Sequence, residues 1–381
     1  MTENNKSKAL KVAFVDHSSL MGGAEYSLYH LLNRLNYQKY EPYLIIPENS
    51  ELEAKLKKNT YINYTYHPLS STKKILQFVV GIISLARKLR LNKIEIVHTN
   101  SYRGSLYGLI AGKIARKKTV WHVRDINENF IFTKLMPLFA DKIIAISSAV
   151  AEQFNSKVVK EKVCIINNGV NLTDFQSTHA LSAENLKEEL QLPQETILIG
   201  MVGRINRWKG FHYLIEALPA ILEKYPNVKL AIVGAETLTE EKGYLQELEG
   251  MCRELDLVEK VYFLGERSDI PNIMKSLDIF VSYSDSEPFG RVIIEAMAAG
   301  TPVIVADSGG APEIIKGKDC GLIVETANTL QLTKGVNKLI SCKSQWVSMG
   351  ENGKKHVFEN FNADLVNKKV YRVYEELLKN N

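Results

Sequence analysis

Short, continuously apolar segments alternate with amphipathic segments along most of the 381-residue chain. Runs rich in Val and Ile are typical of strands that are buried on both faces. In the first half they predict six strands, at residues 11–16, 43–47, 94–98, 119–123, 142–146 and 163–167. The second half repeats the pattern with six more, at residues 197–202, 229–233, 261–264, 279–283, 302–306 and 321–324.

The segments between these runs have the period of α-helices, as at residues 25–35, 212–224 and 290–299. Strands that alternate with helices predict parallel sheets covered on both faces. A chain of this length is also too long for one ordinary core. We therefore predict an α/β fold with two Rossmann-like, doubly wound domains, and Pro193 lies in the polar segment that joins them. The predicted ranges are 1–175 for the first domain, 171–195 for the polar segment and 190–362 for the second domain; the amphipathic end, 363–381, could cap either domain and is assigned as an optional part of the first.

Ligands of doubly wound sheets bind beyond the carboxyl ends of the strands. Two such sheets that face each other would place the site in the cleft between the domains. Motifs that directly follow predicted strands are therefore the candidates for chemistry.

The strongest such motif, SEPFGRVIIEAMAAGTPV, occupies residues 286–303. Pro288 favours a loop, and Gly290 permits close backbone approach at a helix start, where free N–H groups attract a phosphate. Glu287 precedes the helix and Glu295 lies inside it, so about 10 Å separates them, which suits two separate polyols such as a sugar and a ribose. A helix start with ordinary surface acids is the alternative. It leaves Glu295 unexplained, because this residue precedes an apolar run and a buried carboxylate needs a partner.

Two cations follow the predicted strand 197–202, in the sequence GRINRWKG of residues 203–210. Arg204 offers a planar fork and Lys209 a point charge, and both suit a diphosphate. Negative charge grows on a diphosphate as it leaves a sugar, so such cations stabilise the transition state more than the ground state. A solvated basic loop is the simpler interpretation of this segment alone, but the neighbouring motif favours diphosphate binding.

Together these motifs resemble glycosyltransferase family four, which has the GT-B fold. Glu-Pro-Phe-Gly followed by Glu-Ala-Met-Ala-x-Gly-x-Pro-Val resembles the E-x7-E signature of that family. The loop at 203–210 resembles its diphosphate-binding loop. Further resemblances, at residues 22–25 (GGAE), 168–170 (NGV) and 309–313 (GGAPE), extend over most of the chain.

The resemblance implies a role for each matching residue of the second domain. Glu295 would hold the ribose hydroxyls and Glu287 the sugar hydroxyls. Arg267 would lie near the base. The other donor-binding residues that it implies are Phe289, Gly290, Arg291 and Val292, the first three through backbone amides.

In the first domain, Gly22 and Gly23 follow the first strand and open a helix. The loop lacks the G-x-G-x-x-G pattern, which argues against a nicotinamide cofactor. Its tight turn is predicted to approach the donor phosphate or the acceptor instead. His122 closes a strand in WHVRD, and the resemblance places it against the donor sugar opposite Glu287. A lone His is more often structural, and His98 is a second candidate at a strand end.

The sequence departs from the family pattern at two places. Gly234-Ala235-Glu236 stands where the family commonly has Gly-x-Gly. Arg291 occupies a position that usually holds a smaller or neutral residue, which leaves the identity of the donor open.

Charge is divided unevenly along the chain. Residues 1–190 carry 26 Lys and Arg against 17 Asp and Glu, whereas residues 191–381 carry 22 against 26. The basic half favours an anionic partner such as a phospholipid surface or a lipid pyrophosphate, and scattered solvated lysines are an equal alternative. No recognisable nucleic-acid-binding module is present.

The longest apolar run, residues 75–86, is about half the length that spans a bilayer. We predict a core helix there. A basic helix that lies on a membrane surface is the second interpretation, because Lys and Arg flank the run. These flanking residues are Lys73, Lys74, Arg87, Lys88 and Arg90.

No metal or cofactor is predicted. The sequence has no D-x-D triplet and no cluster of residues with metal-ligand spacing. Its four cysteines are far apart and form no C-x-x-C pair, which fits a reducing cytoplasm. The polar start of the chain predicts no signal peptide. We therefore expect a cytoplasmic protein, with a peripheral position at the inner face of the membrane as a further expectation.

The function we predict is transfer of a sugar from a nucleoside diphosphate sugar, for example a UDP-sugar, to a glycan or lipid-linked acceptor hydroxyl. The resemblance implies retention at the anomeric carbon and front-face attack, in which the leaving phosphate helps to accept the proton. Cell-surface polysaccharide or glycolipid synthesis is the expected context. Two alternatives remain open, namely a non-catalytic sugar-nucleotide-binding subunit of a partner transferase and a GT-B sugar-nucleotide epimerase.

Overall fold

The computed structural model describes residues 9–69, 74–127, 129–176, 185–236 and 242–379. The chain divides into two compact units, the first comprising residues 1–169 and 363–381 and the second residues 170–362. Each unit is built on one wholly parallel sheet, which confirms the predicted fold class. Part of the polar joining segment, residues 177–184, lies outside the described residues, as do residues 1–8 and Lys73.

Seven strands form the sheet of the first unit. They are β1 (Leu10–Val15), β2 (Tyr40–Ile46), β3 (Asn63–Tyr66), β4 (Ile96–Thr99), β5 (Lys118–Val123), β6 (Lys142–Ala145) and β7 (Val163–Ile165). Six strands form the second sheet: β8 (Ile197–Val202), β9 (Val228–Val233), β10 (Val261–Phe263), β11 (Ile279–Ser282), β12 (Val303–Ala306) and β13 (Gly321–Val324). All twelve predicted strands are present. The strand that the sequence pattern missed is β3, a partly exposed edge strand of Asn, Tyr and Thr without an apolar run.

Helices connect the strands of both units. Those of the first unit are α1 (Gly23–Asn33), α2 (Glu51–Leu56), α3 (Ile75–Leu91), α4 (Tyr102–Ile114), α5 (Ser148–Glu152), α6 (Lys157–Lys160) and the C-terminal α16 (Ala363–Lys379). Those of the second unit are α7 (Leu172–Gln176), α8 (Leu186–Glu189), α9 (Phe211–Lys224), α10 (Tyr244–Glu254), α11 (Ile270–Ser276), α12 (Arg291–Ala299), α13 (Ala311–Ile315), α14 (Thr329–Ser341) and α15 (Trp346–Asn360). Short helical turns lie at Ile131–Leu135, Met136–Phe139, Arg207–Lys209 and Lys343–Gln345.

The order of the strands places one topological switch point in each sheet. The first sheet has the order β3-β2-β1-β4-β5-β6-β7 and the second β10-β9-β8-β11-β12-β13. The chain moves outward from β1 or β8 to one edge and then returns to the other side of that same strand. The crevices beyond β1/β4 and β8/β11 are therefore where a doubly wound sheet binds ligands.

Helix α3 agrees only in part with the predicted core helix. One face packs against α4 and the first sheet through Ile82, Leu85, Ala86 and Leu89. The opposite face is also apolar, yet it is exposed, with Leu76 at 78%. The sequence could not reveal this, because the run 75–86 is apolar around the whole helix.

Candidate active site

An ion pair lies at the switch point of the second sheet. Lys209, in the turn after β8, contacts Glu287, in the loop after β11, with 2.6 Å between Nζ and Oε2. The side chains are only 17% and 9% exposed. The hydroxyl of Ser284 donates a second hydrogen bond to the same carboxylate oxygen, at 3.2 Å. Both charged residues are recognisable in the sequence, but their contact is not.

Glycines bring the neighbouring loops into contact beside this pair. Gly210 has φ +74°, and a Cβ on it would lie 2.0 Å from the carbonyl oxygen of Tyr283. Gly309 has φ +57°, and its Cβ would lie 2.1 Å from the carbonyl oxygen of Glu287. The N–H of Gly310 donates to that same oxygen at 2.7 Å. Any other residue at 210 or 309 would strain the backbone and push the loops apart.

The N-terminus of α12 follows the pair directly. Gly290 caps this helix with φ +100°, a conformation that side chains disfavour. Phe289, which is 1% exposed, anchors the preceding loop and lies edge-on to Phe361, with ring centroids 5.8 Å apart. The N–H of Ile293 donates to the carbonyl of Gly290 at 2.9 Å. The start of an α-helix favours anions, because the helix dipole is positive at this end.

Glu295 has the partner that a buried carboxylate requires. Its Oε1 lies 3.0 Å from Nε of Arg291, one helical turn earlier, and the two side chains are 12% and 19% exposed. Burial raises the pKa of Glu295, the Arg291 guanidinium opposes this rise, and Asp174 adds to it. Arg291 thus favours the ionised form of a carboxylate, whereas burial disfavours it.

The other two predicted cations lie elsewhere at this edge of the sheet. Arg204 is exposed in the loop after β8. Arg267, after the edge strand β10, donates to both carboxylate oxygens of Glu189, at 2.6 and 2.9 Å, and to both of Asp269, at 2.8 and 2.9 Å. The described contacts therefore pair Lys209 with Glu287, whereas Arg267 is held by carboxylates of its own. The roles assigned to Arg204 and Arg267 stay predictions.

The switch point of the first sheet holds a buried polar network. Asn100 donates to Oδ2 of Asp16 at 2.6 Å and accepts from Nε of Arg124 at 2.6 Å. Arg124 also donates to Oδ1 of Asn168, at 2.7 Å. These four side chains are at most 9% exposed. Arg124 and Asn168 lie within the segments WHVRD and NGV, but no sequence signal linked them to Asp16 and Asn100.

His98 and His122 extend this network toward α16. Nδ1 of His98 lies 2.6 Å from the hydroxyl of Tyr374, and Nε2 of His98 lies 3.1 Å from Nδ1 of His122. Arg124 also contacts Nδ1 of His122, at 3.3 Å. Burial, with Arg124 nearby, lowers the pKa of His98 to about 3 and that of His122 well below its usual value, so both rings are neutral.

The contacts fix the direction of these hydrogen bonds. Because a guanidinium only donates, Nδ1 of His122 accepts, and the proton of this ring is on Nε2. His98 then donates through Nε2 and accepts from Tyr374. Nε2–H of His122 has no partner among the described residues. His122 also lines a cavity of about 20 Å³, which has room for one water. The predicted catalytic role of His122 stays a prediction.

Gly22 and Gly23 begin α1 beside the network. Gly22 has φ −130°, an extended conformation open to any residue, so its backbone does not require glycine. Its N–H donates to Oε2 of Glu25 at 2.9 Å. Burial, followed by the charge of Asp16, raises the pKa of Glu25 to about 7. In the sequence, Glu25 stands out only as part of the GGAE motif.

Among the described ranges, no group of three or more His, Cys, Asp or Glu side chains is arranged to hold a metal ion. The predicted absence of a cofactor stays a prediction.

Two family models match the chain. "Glycosyltransferase Family 4" matches residues 21–174, and "Glycosyl transferases group 1" matches residues 182–356. An uncharacterized glycosyltransferase of Methanocaldococcus jannaschii is 34% identical over 61% of this chain and 60% of its own length. The match thus spans less than two thirds of that relative.

Two further proteins are similar over nearly the whole chain. UDP-Gal:alpha-D-GlcNAc-diphosphoundecaprenol alpha-1,3-galactosyltransferase of Escherichia coli is 26% identical over 97% of this chain and 98% of its own length. The crystal structure of Anabaena HepE in complex with UDP and glucose is 25% identical, with a TM-score of 0.84 over 96% of this chain and 100% of that one. The two parallel-sheet units are those of the GT-B fold.

Tyr374→Phe is expected to loosen α16. The substitution leaves Nδ1 of the fully buried His98 without its donor, and an unsatisfied buried acceptor costs about 1–3 kcal/mol. Hydrogen exchange of the α16 amides, read by mass spectrometry, measures the loss. Tyr371→Phe is the matched control, because its hydroxyl donates to the carbonyl of Arg34 at a partly exposed site that water can reach. Equal protection in both variants would contradict the hydrogen-bond chain.

Glu25→Gln is expected to flatten the pH dependence of stability. The folded-state pKa of Glu25, about 7, exceeds its ordinary value of 4.5, so the folded state binds the proton more tightly. The contribution of Glu25 to stability is then greatest below pH 4.5 and is lost as the pH rises to 7, by about 3 kcal/mol in all. The measurement is the difference in unfolding free energy between the native chain and Glu25→Gln, from urea unfolding at pH 5 and pH 8, because the neutral His98 and His122 act alike in both and cancel from it. This difference should shift against the native chain between pH 5 and pH 8. The exposed Glu48→Gln serves as control, and a difference that does not change with pH would assign no pH dependence to Glu25.

Proposed function

The chain belongs to glycosyltransferase family 4, and from this premise we propose that it transfers a hexosyl group, with retention, from a nucleoside diphosphate sugar to an acceptor hydroxyl. The donor nucleotide is UDP. The acceptor is a glycan or a lipid-linked sugar in polysaccharide or glycolipid synthesis. UDP and glucose in the HepE complex, and the lipid diphosphate in the name of the E. coli relative, support these assignments.

The observation that carries the proposal is the Lys209–Glu287 pair at the β8/β11 switch point, next to the N-terminus of α12. A cation and a helix N-terminus both attract phosphate. A carboxylate held beside them accepts hydrogen bonds from hydroxyl groups. A sugar joined to a diphosphate presents phosphate and hydroxyl groups side by side, and it therefore matches both halves of this arrangement.

Lys209 and Arg204 lower the barrier by stabilising the leaving diphosphate. In the proposed step the bond between the anomeric carbon and the β-phosphate oxygen breaks, and the acceptor oxygen bonds to the same face of that carbon. The proton of the acceptor passes to the leaving phosphate oxygen. Positive charge fixed at that phosphate is worth more as its negative charge grows.

Glu295 is proposed to hold the ribose hydroxyls. Its support is the Arg291 guanidinium, which opposes the rise that burial gives to the pKa of this carboxylate. An ionised carboxylate accepts hydrogen bonds from two vicinal hydroxyls, whereas a protonated one donates one of its own. His122 is proposed to contribute its Nε2–H to the donor sugar, as the family resemblance implies.

We also propose a cytoplasmic enzyme with peripheral membrane contact. The excess of Lys and Arg in the first half of the chain and the lipid-linked substrate named for the E. coli relative support it. In the part of the chain that the structure describes, no helix is long and apolar enough to cross a membrane.

The two acidic residues should respond differently to neutralisation. Glu295→Gln is expected to lower the affinity for UDP and for the UDP-sugar alike, because charge-assisted hydrogen bonds to the ribose contribute about 1.5–3 kcal/mol each. Glu287→Gln should lower the rate of transfer sharply without lowering the affinity for UDP. Without the negative charge of Glu287, Lys209 remains available to bind the phosphates. Lys209→Ala should lower the affinity for UDP at least about tenfold, which corresponds to about 1.4 kcal/mol.

Isothermal titration with UDP, alongside a transfer assay, separates these outcomes. Glu254→Gln, an exposed acid on α10, is the matched control and should change neither quantity. If Glu287→Gln abolished UDP binding in a folded protein, or if Glu295→Gln left it intact, the assignment of sugar and ribose ends would be wrong.

Transfer is expected to proceed in excess EDTA, because the proposed site neutralises the diphosphate with Arg204, Lys209 and the α12 N-terminus. The measurement is the rate of sugar transfer before and after chelation, with Mg²⁺ or Mn²⁺ restored in a parallel sample. Complete loss that the metal reverses would contradict the metal-free mechanism.

A further inference from the structure

Helix α3 exposes an apolar stripe along its outer face. Ile75, Leu76, Val79, Val80 and Ile83 are between 45% and 78% exposed. They share one side of the helix, because residues three and four apart are neighbours on an α-helix. Helix α3 has 17 residues and is therefore about 26 Å long. Covering these apolar side chains would remove them from water and so stabilise the protein. None of the described residues covers them.

The elements beside α3 continue the stripe. Helix α3 packs against α4, and α4 packs against the turn Met136–Phe139. Phe132 stacks on Tyr102 of α4 at 4.1 Å, and it also lies near Trp121 of β5, so these elements share one side of the sheet. Their exposed apolar side chains are Tyr102, Ile114, Phe130, Ile131, Leu135 and Leu138.

We call these elements, α3, α4 and residues 130–139, the apolar layer. Among the described residues, 24 large hydrophobic side chains are exposed, and 12 of them belong to this layer, Leu91 of α3 included. Large exposed apolar patches on a folded domain mark sites of interaction.

The layer is also basic. Its residues, 75–91, 102–114 and 130–139, contain six Lys and Arg and no Asp or Glu. Arg87 extends the row of Val79 and Ile83 by one more turn, and it is exposed. Lys134 is exposed between Ile131 and Leu135. Basic groups thus border the apolar side chains on both α3 and the 130–139 segment.

We propose that the apolar layer docks on a membrane surface that contains anionic lipids, with α3 lying in the plane of the membrane. Aliphatic side chains in the acyl boundary and basic side chains among the head groups are the arrangement of interfacial helices. A second copy of the chain is a poorer occupant, because a symmetric contact would set basic residues against basic residues. The inference takes from the proposed function only that the acceptor lies at a membrane.

The test measures co-sedimentation of the full chain with phosphatidylcholine vesicles, with and without about one third phosphatidylglycerol. The native chain should bind the anionic vesicles at least about tenfold more tightly than the neutral ones, and high salt should weaken that binding. The triple variant Leu76→Ser, Val80→Ser, Ile83→Ser should lose at least about tenfold in affinity.

The matched control replaces three equally exposed apolar residues of the second unit, as Val258→Ser, Leu330→Ser, Val347→Ser. It should bind vesicles like the native chain. Arg87→Gln with Lys134→Gln should lower affinity for anionic vesicles and leave any binding to neutral ones unchanged.

Titration with UDP in the absence of vesicles makes the two proposals distinguishable. The triple variant should bind UDP like the native chain, which also shows that it is folded. Equal vesicle binding by the triple and native chains would overturn the docking surface while leaving the donor site intact. A native chain that ignores vesicles but forms dimers, which the triple variant abolishes, would identify the layer as a self-association surface and overturn the membrane proposal.

Discussion

The close approach of two loops at the backbone of Glu287 is the constraint on which the site of the second unit depends. The carbonyl of Glu287 is held by the N–H of Gly310, and Gly309 leaves no room there for a Cβ. Gly210 allows an equally close approach where the Lys209 turn meets the strand that leads to Glu287. These backbone contacts fix the positions of the main chain at Lys209 and Glu287, and they thereby allow the two side chains to form the ion pair. A side chain at either glycine would move these loops and so change the distance between the ammonium and the carboxylate without contacting either.

The two switch points treat buried charge differently. In the second unit each carboxylate has its own cation, since Lys209 meets Glu287 and Arg291 meets Glu295. In the first unit Asp16 and Glu25 share the neighbourhood of a single cation, Arg124. Burial is the main cause that raises the pKa of Glu25 to about 7, and the charge of Asp16 adds to it. The second unit thus pairs its buried carboxylates with cations, whereas the first unit leaves Glu25 protonated up to about pH 7.

The sequence predicts those features that depend on a local pattern of residues, namely the buried strands and the loops that follow them. Buried strands such as β12, Val-Ile-Val-Ala, are recognisable because both faces are apolar, and the loops after β8 and β11 follow from strand ends. It failed where partners come from distant segments. Nothing in WHVRD shows that His122 contacts His98. Nor does it show that His98 is bound in turn by Tyr374, which lies some 250 residues after WHVRD in the sequence. The sequence likewise could not predict which face of α3 is buried, because a run that is apolar around the whole helix does not indicate which face packs against the sheet.

A site that binds a diphosphate without a metal must draw its positive charge from the protein. Lys209 and Arg291 are already matched by carboxylates. In the proposed function, the further attraction for a diphosphate therefore comes from Arg204 and the N-terminus of α12. In the proposed complex a phosphate takes Lys209 away from Glu287, and the buried carboxylate then needs other donors. The hydroxyls of a donor sugar supply them, whereas a free nucleoside diphosphate has no sugar to offer. Under the proposed function, the resting ion pair would therefore couple recognition of the sugar to recognition of the phosphate, and it would favour binding of the donor over binding of the product.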